Sequence, residues 1–137
     1  LIIINLDKNT LSNEIYSSKF LNIQLIWNEG IAFGLFSANE HNLYNLLTFL
    51  IISVILIILY MLIKSEGLKK YALLMIFSGA IGNVFDRITY RAVPDFIDFH
   101  VENFHWFIFN VADIFITIGV VFMIILELAS KNNQKET

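Results

Sequence analysis

The sequence predicts a helical membrane protein, because its composition is strongly apolar and one long run carries no charge. Hydrophobic residues make up 57% of the 137 residues and charged residues only 15%, which is far more apolar than an average soluble domain. Residues 44–63 contain no charged side chain, and a helix of about 20 residues extends about 30 Å, the thickness of the hydrocarbon layer. We therefore expect an all-α fold of packed transmembrane helices.

The cysteine count and the charge exclude several classes of function. The chain has no cysteine, which excludes disulfides, zinc thiolates, iron–sulfur clusters and cysteine nucleophiles. Its net charge is −3, with no basic cluster beyond Lys69 and Lys70, so it has no electrostatic footprint for nucleic acid. Any chemistry has to use other side chains.

Apolar runs and the segments between them predict one membrane domain over residues 1–137. Residues 1–4 are too short to span a membrane, and the strand-like composition of residues 20–27 indicates order between the first two apolar runs. In chain order we expect a truncated remnant of a first transmembrane helix at 1–7, an extracytoplasmic segment at 8–43, transmembrane helices at 44–63, 71–86 and 106–126, and an extracytoplasmic loop at 87–105.

Lysine placement predicts how these helices are oriented. The link at 64–70 carries three lysines against one glutamate, and the C-terminal tail adds Lys131 and Lys135. Cytoplasmic loops are enriched in lysine and arginine, so both segments are expected in the cytoplasm. The segments at 8–43 and 87–105 then face the opposite side.

Small and polar residues form a stripe on the predicted helix at 71–86. Gly79, Asn83 and Asp86 recur at spacings of four and three, so they share one helix face near the extracytoplasmic end. One interpretation is a packing seam of small residues that lets two helices approach closely. The other is that this face lines a functional site.

The predicted helix at 106–126 carries Asn110 and Asp113 close to the same membrane edge. An unpaired carboxylate in a membrane helix is expensive and is usually functional. A purely structural alternative makes Asp113 a partner of Arg87 or Asn83. The sequence leaves both interpretations open.

A second carboxylate is expected close to Asp113. The connecting segment is short, and Pro94 restricts its own φ and pushes Val93 toward an extended conformation, so Asp95 is expected on a defined strand or turn. Two carboxylates in a partly dry site share one proton, so the charged one can accept a proton from water while the neutral one donates to a carbonyl oxygen. This is the chemistry of an aspartic protease.

Histidines and serines are weaker candidates. His41, His100 and His105 show no HExxH pattern, and the last two lie five residues apart in the predicted loop, so we expect surface or interfacial histidines and no metal site. Ser78 lies in no GxSxG elbow and has no suitable lysine near it, so a serine nucleophile is not expected.

Four motifs carry a resemblance to a known family. NEGIAFG, GNVFDR, VPDF and FNVADIFITIG, in this order and at this spacing from the apolar runs, resemble the lipoprotein signal peptidases, also called signal peptidase II. The resemblance implies a four-transmembrane-helix bundle with a small extracytoplasmic β-cradle, here at 8–43. It also implies an intramembrane aspartic endopeptidase, a monomer of the bacterial inner membrane with its active site toward the extracytoplasmic face. Such an enzyme cleaves prolipoproteins immediately before a diacylglyceryl-modified cysteine and needs no cofactor.

The resemblance also assigns roles to individual residues. By motif position, the catalytic pair is Asp95 and Asp113, whereas Asp98 takes no part in the chemistry. Residues of the same motifs that shape the site or bind substrate are Asn28, Gly30, Asn83, Asp86, Arg87 and Asn110. The chain departs from the family pattern near its start, where Asp7 is followed four residues later by Leu11 instead of the expected lysine.

Two other functions are open on the sequence alone. A small proton-coupled carrier could relay protons through Asp113 and Asp86, although no charged residue occupies 44–63, where a path across the membrane would need one. A membrane scaffold without catalytic activity would tolerate asparagine at residue 113.

Overall fold

The computed structural model describes residues 14–29, 41–102 and 104–135. In chain order the elements are β1 (Glu14–Ser17), β2 (Leu21–Asn28), α1 (His41–Lys64), α2 (Gly67–Tyr90), β3 (Val93–Val101), β4 (Phe104–Phe109) and α3 (Val111–Lys135). They form two compact units. The sheet unit comprises the described residues of 14–29 and 86–110, and the helix unit comprises those of 41–85 and 111–135.

The sheet unit is built on a four-stranded antiparallel sheet in the order β1, β2, β3, β4. The turn from β1 to β2 is closed by Ser18, whose backbone N–H and hydroxyl both donate to the carbonyl oxygen of Leu21, at 3.0 and 2.9 Å. Isoleucine, leucine and tryptophan in β2 suit a pleated surface that is partly buried. The strand character predicted for residues 20–27 is confirmed for Leu21–Asn28.

A β-bulge interrupts the pairing of β2 with β3. Ile23 pairs with Ile97, but the next pair joins Ile26 to Asp95. Three residues of β2 thus span the distance covered by two residues of β3. An extra residue of this kind shifts the following side chains to the other face of the strand.

Strands β3 and β4 form a hairpin in the region predicted as a loop at 87–105. Residues 106–109 belong to β4, and α3 begins at Val111, so the prediction that a transmembrane helix begins at Trp106 is wrong. Phe107 pairs with Phe99, and the ring of Phe99 stacks on Phe109 with centroids 6.0 Å apart. A short aromatic run beside an apolar helix cannot be separated from that helix by periodicity alone.

The helix unit contains three helices that are long and apolar enough to cross a membrane, counted over the described residues. Each of the three predicted spans falls largely within one of these helices, although the boundaries of all three differ from the prediction. Helix α1 begins at His41, three residues early, and α2 covers Gly67–Tyr90, where the sequence predicted only 71–86. The predicted helix remnant at 1–7 lies outside the described residues.

Helices α2 and α3 are antiparallel and pack closely through two glycines. A Cβ atom on Gly79 would lie 2.8 Å from Cγ1 of Ile116, and one on Gly119 would lie 2.7 Å from Cγ1 of Ile76. Each glycine is therefore required by the approach of the facing helix, as in other membrane helix pairs with small residues at the interface. Of the two interpretations of this helix face, the close contact at Gly79 supports the packing seam.

Candidate functional site

Asp95 is a buried carboxylate held by two side-chain amides of the sheet unit. Its Oδ2 accepts a hydrogen bond from Nδ2 of Asn28 at 3.0 Å, and its Oδ1 accepts one from Nδ2 of Asn110 at 2.8 Å. The residue is only 4% exposed. Both oxygens therefore have a donor, which compensates part of the cost of removing a carboxylate from water and fixes the plane of the group.

The local sequence explains why these amides reach Asp95. Asp95 pairs with Ile26 across the β2–β3 ladder, and Asn28 is two residues further along β2 on the same face. Asn110 follows β4 and immediately precedes Val111, the first residue of α3. This is the position that asparagine prefers before a helix. Asn110 is itself 5% exposed.

Asp113 stands in the first turn of α3 and belongs to the helix unit. Its Oδ1 accepts a hydrogen bond from Nδ2 of Asn83 on α2 at 2.8 Å, and both residues are partly buried. An acidic residue in the first turn also interacts favourably with the partial positive charge of the helix N-terminus. The sequence alternative that made Asp113 a partner of Asn83 is thus confirmed as a contact, and this contact is compatible with a catalytic role.

The other residues that the resemblance assigned to the site are not among the hydrogen-bond partners described above for Asp95 and Asp113. Arg87 is buried at 6% exposure, and Asp86 beside it is partly buried; both belong to the last turns of α2. In the same turns, the ring of Tyr90 packs on Trp27 of β2, with centroids 5.5 Å apart. Gly30 lies outside the described residues, as does most of the NEGIAFG motif.

A second buried carboxylate lies on the opposite face of β3. Asp98 is fully buried, and it accepts hydrogen bonds from Nε2 of Gln24 at 2.9 Å and from Nδ1 of His105 at 2.8 Å. His105 pairs with His100 across the β3–β4 hairpin, and their rings stack 5.4 Å apart. These histidines lie on paired strands, so their predicted placement in a loop is wrong.

Asp98, His100 and His105 also meet the geometric requirement for a metal site. One potential ligand atom from each lies within 4.8 Å of the other two. The cluster was not predicted from the sequence, because a segment expected to be a loop gives no basis for placing its side chains on one face. The signal was available in the hairpin pattern, since a strand beginning at Val93 places Asp98 and His100 on one face by their spacing of two.

The two aspartates singled out by sequence have surroundings that suit acid–base chemistry. Asp95 accepts two hydrogen bonds and Asp113 accepts one from asparagine amides, which do not titrate. A carboxyl group held in a fixed orientation can accept or donate a proton with little reorganisation.

A comparison with protein-family models finds a match to the family described as signal peptidase (SPase) II over residues 1–129. A protein of Pelagibacter ubique named lipoprotein signal peptidase is 51% identical over 134 residues, covering 98% of this chain and 81% of the relative. A protein of the same name from Anaplasma phagocytophilum is 40% identical over 117 residues, covering 83% and 73%.

Two solved structures of bacterial membrane enzymes are also similar to this chain. A chain described as a bacterial membrane enzyme, solved at 2.3 Å by the in meso method, superposes with a TM-score of 0.78 at 31% identity, covering 99% of this chain and 83% of that chain. A second, at 1.9 Å, gives a TM-score of 0.72 at 30% identity, covering 93% and 82%.

Proposed function

Since this chain belongs to the signal peptidase II family of membrane proteases, we propose that it removes signal peptides from bacterial prolipoproteins. Cleavage occurs immediately before a cysteine that carries diacylglycerol. Asp95 and Asp113 form the catalytic pair and share one proton. The neutral carboxyl group first donates a hydrogen bond to the carbonyl oxygen of the scissile bond. The charged carboxylate then accepts a proton from the attacking water. Proton transfer to the leaving amide completes the hydrolysis.

The observation that carries this proposal is the support around Asp95. Two hydrogen bonds, one to each oxygen, hold the buried carboxylate of Asp95 in one orientation. Catalytic side chains need neighbouring residues that fix their orientation in this way. Asn28 and Asn110 come from two different motifs of the family and converge on this one group. Their amides face the carboxylate, which favours a part in shaping the site over direct substrate binding.

Asp113 fits the same proposal from the helix unit. Its Oδ1 accepts a hydrogen bond from Nδ2 of Asn83, which helps to fix the orientation of the carboxyl group. Asp86 and Arg87, which belong to the same motif as Asn83, and Gly30 of the NEGIAFG motif are proposed to contact the substrate. The reaction needs neither a metal nor a cofactor.

The proposal places the chain in the bacterial inner membrane as a monomer in contact with lipid. The proposed architecture is a four-helix bundle, the arrangement that the family resemblance implies. The sheet unit is the extracytoplasmic cradle, so the site faces away from the cytoplasm. Lysines in the link at 64–70 and in the C-terminal tail support this orientation.

The test is cleavage of a diacylglyceryl-modified prolipoprotein by the protein reconstituted in lipid. Asp95→Asn and Asp113→Asn keep the shape of each side chain but remove its acid–base function. We expect each to lower the rate about 10²- to 10⁴-fold, with substrate binding retained. Folding of each variant is compared with the parent by thermal unfolding.

Matched controls remove a carboxylate outside the proposed pair. Glu102→Gln changes an exposed carboxylate of the sheet unit, and Glu127→Gln changes one in α3. Both are expected to cleave at the parental rate. If Asp95→Asn or Asp113→Asn folds and cleaves like these controls, the assignment of the pair is wrong.

The two alternative functions, a proton-coupled carrier and a membrane scaffold, predict a different result in the cleavage assay. A proton-coupled carrier would leave the prolipoprotein intact and acidify vesicles when a gradient is applied. A scaffold would show neither activity and would tolerate Asp113→Asn. Membership in a protease family supports the enzyme over both alternatives.

A further inference from the structure

The β3–β4 hairpin carries a cluster that the proposed peptidase reaction does not use. Asp98 and His100 lie on one face of β3, and His105 lies directly opposite His100 on β4. Ligand atoms from the three side chains lie within 4.8 Å of one another. We propose that Asp98, His100 and His105 bind a divalent transition metal ion such as Zn²⁺. This inference goes beyond the proposed function and does not depend on it.

The donor set is the first argument for a metal. One carboxylate oxygen and two imidazole nitrogens are ligands that zinc takes in proteins, and they leave one position for water. Zinc holds such ligands at about 2.0–2.2 Å in a tetrahedron, with neighbouring ligand atoms about 3.3 Å apart. Oδ2 of Asp98 and Nδ1 of His105, now 2.8 Å apart, would separate by about 0.5 Å, and the distances from both to His100 would shorten by at most about 1.5 Å.

Charge is the second argument. Asp98 has no exposed surface, and its partners among the described residues are the neutral amide of Gln24 and the imidazole of His105. A fully buried carboxylate is costly unless a positive charge compensates it. A divalent ion supplies that charge. The ion replaces the proton between Asp98 and Nδ1 of His105, and the neutral imidazole then carries its proton on Nε2.

The burial and hydrogen bonding of the two histidines are a third argument for a metal site. Nδ1 of His100 is buried and has no hydrogen-bond partner among the described residues, although a buried polar atom is normally satisfied. The side chain of His105, in contrast, is 48% exposed. The cluster thus has a buried floor and one open side, through which an ion and its water can enter.

A metal at this position would act as a clamp on the hairpin. It would join two strands that are connected by a short turn, and one of them, β3, also carries Asp95. A site of this kind contributes its binding free energy to folding. Its expected effect is on stability, without a direct part in peptide hydrolysis.

Metal binding can be measured directly on the whole protein. The protein is purified in detergent with a tag that contains no histidine, treated with a chelator, and titrated with Zn²⁺ by calorimetry. Co²⁺ serves as a second probe, because a tetrahedral complex absorbs in the visible range. We expect one ion per chain, a visible Co²⁺ spectrum and a higher unfolding temperature with Zn²⁺.

Three single variants locate the ion. His100→Gln and His105→Gln each remove one ligand and are expected to weaken Zn²⁺ binding at least about tenfold. His41→Gln removes the third histidine of the chain and is expected to bind like the parent. Each variant is checked for folding by circular dichroism before titration. His105→Gln changes a half-exposed side chain, so it keeps the test decisive if His100→Gln fails to fold.

Two results would overturn the proposal. One is the absence of stoichiometric Zn²⁺ binding by the parent protein. The other is parental affinity in a folded His105→Gln or His100→Gln variant. Neither readout requires prolipoprotein cleavage, so failure of the metal site and failure of the proposed peptidase activity are separately visible.

Discussion

Nδ2 of Asn110 donates a hydrogen bond to Oδ1 of Asp95 at 2.8 Å, and both side chains are almost fully buried. Asn110 is the residue between the end of β4 and the start of α3. One hydrogen bond thus ties the carboxylate on β3 to the point where the chain changes from strand to helix. This tie can be tested without changing either proposed catalytic residue.

Replacing Asn110 with alanine should weaken both stability and catalysis. Oδ1 of Asp95 would be left buried without this donor, which costs about 1–3 kcal/mol of unfolding free energy. Cleavage should fall at least about tenfold, because the carboxylate loses orientation. The measurements are denaturant unfolding and the prolipoprotein assay.

Asn22→Ala is the matched control for Asn110. Asn22 lies in the same sheet, but its side chain accepts an exposed hydrogen bond from Ser17. Little change is expected in either assay. An Asn110→Ala protein that cleaves as fast as Asn22→Ala would show that this tie does not orient Asp95.

Gly79→Ala should destabilise the packing of α2 on α3. The added Cβ would lie 2.8 Å from the side chain of Ile116 and would also meet the backbone at Ala112. Overpacking of this kind costs about 1–3 kcal/mol. Thermal unfolding in detergent is the measurement.

Gly82→Ala offers a close comparison on the same helix. Its Cβ would lie 3.6 Å from the Cβ of Ala112, an ordinary contact distance. Alanine is also favoured over glycine in a helix interior by about 0.5–1 kcal/mol. Gly82→Ala should therefore match or exceed the parent in stability, and equal destabilisation by both variants would contradict the packing seam.

The hydrogen bond from Asn83 to Asp113 should appear as an energetic coupling. A double-mutant cycle of Asn83→Ala and Asp113→Ala, read from unfolding free energies, is expected to give about 0.5–2 kcal/mol. The same cycle with Asn45, an exposed residue of α1, in place of Asn83 should give none. Additive effects for Asn83 and Asp113 would argue against this contact.

Arg91 adopts a left-handed conformation, with φ of 58°. It follows the last residue of α2, where glycine is favoured because it has no Cβ. Arg91→Gly is expected to raise the unfolding free energy by about 0.5–1 kcal/mol. Ala92→Gly, at the next position, should lower it, since Ala92 is buried at 5% exposure. The prediction fails if Arg91→Gly is the less stable of the two variants.

The β-bulge explains which parts of the site could be predicted. Gln24 and Asn28 are four residues apart, so a regular strand would place them on one face. They instead bind Asp98 and Asp95, which lie on opposite faces of β3. The extra residue of β2 between Ile23 and Ile26 reconciles these contacts. Nothing in the local sequence marks a bulge there, because no glycine or proline interrupts Leu21–Asn28.

Strand β4 is a second feature that the local sequence did not predict. Residues 106–109 are aromatic or β-branched and continue without a break into the apolar helix, so composition joined them to it. Their pairing with β3 ends the strand at Phe109. Asn110 was the one local sign of a helix start.

Three apolar helices, ordered backbone at Asp95 and the family resemblance could all be predicted from the sequence alone, whereas the small-residue face of α2 was left with two interpretations. These properties depend on composition and on spacing within one element, both of which can be read from neighbouring residues. The folded chain was needed to show that Asn28 and Asn110 bind Asp95, that Asn83 is a partner of Asp113, and that Asp98 lies beside two histidines. These contacts depend on strand register, a bulge and helix packing, which arise between residues far apart in the chain.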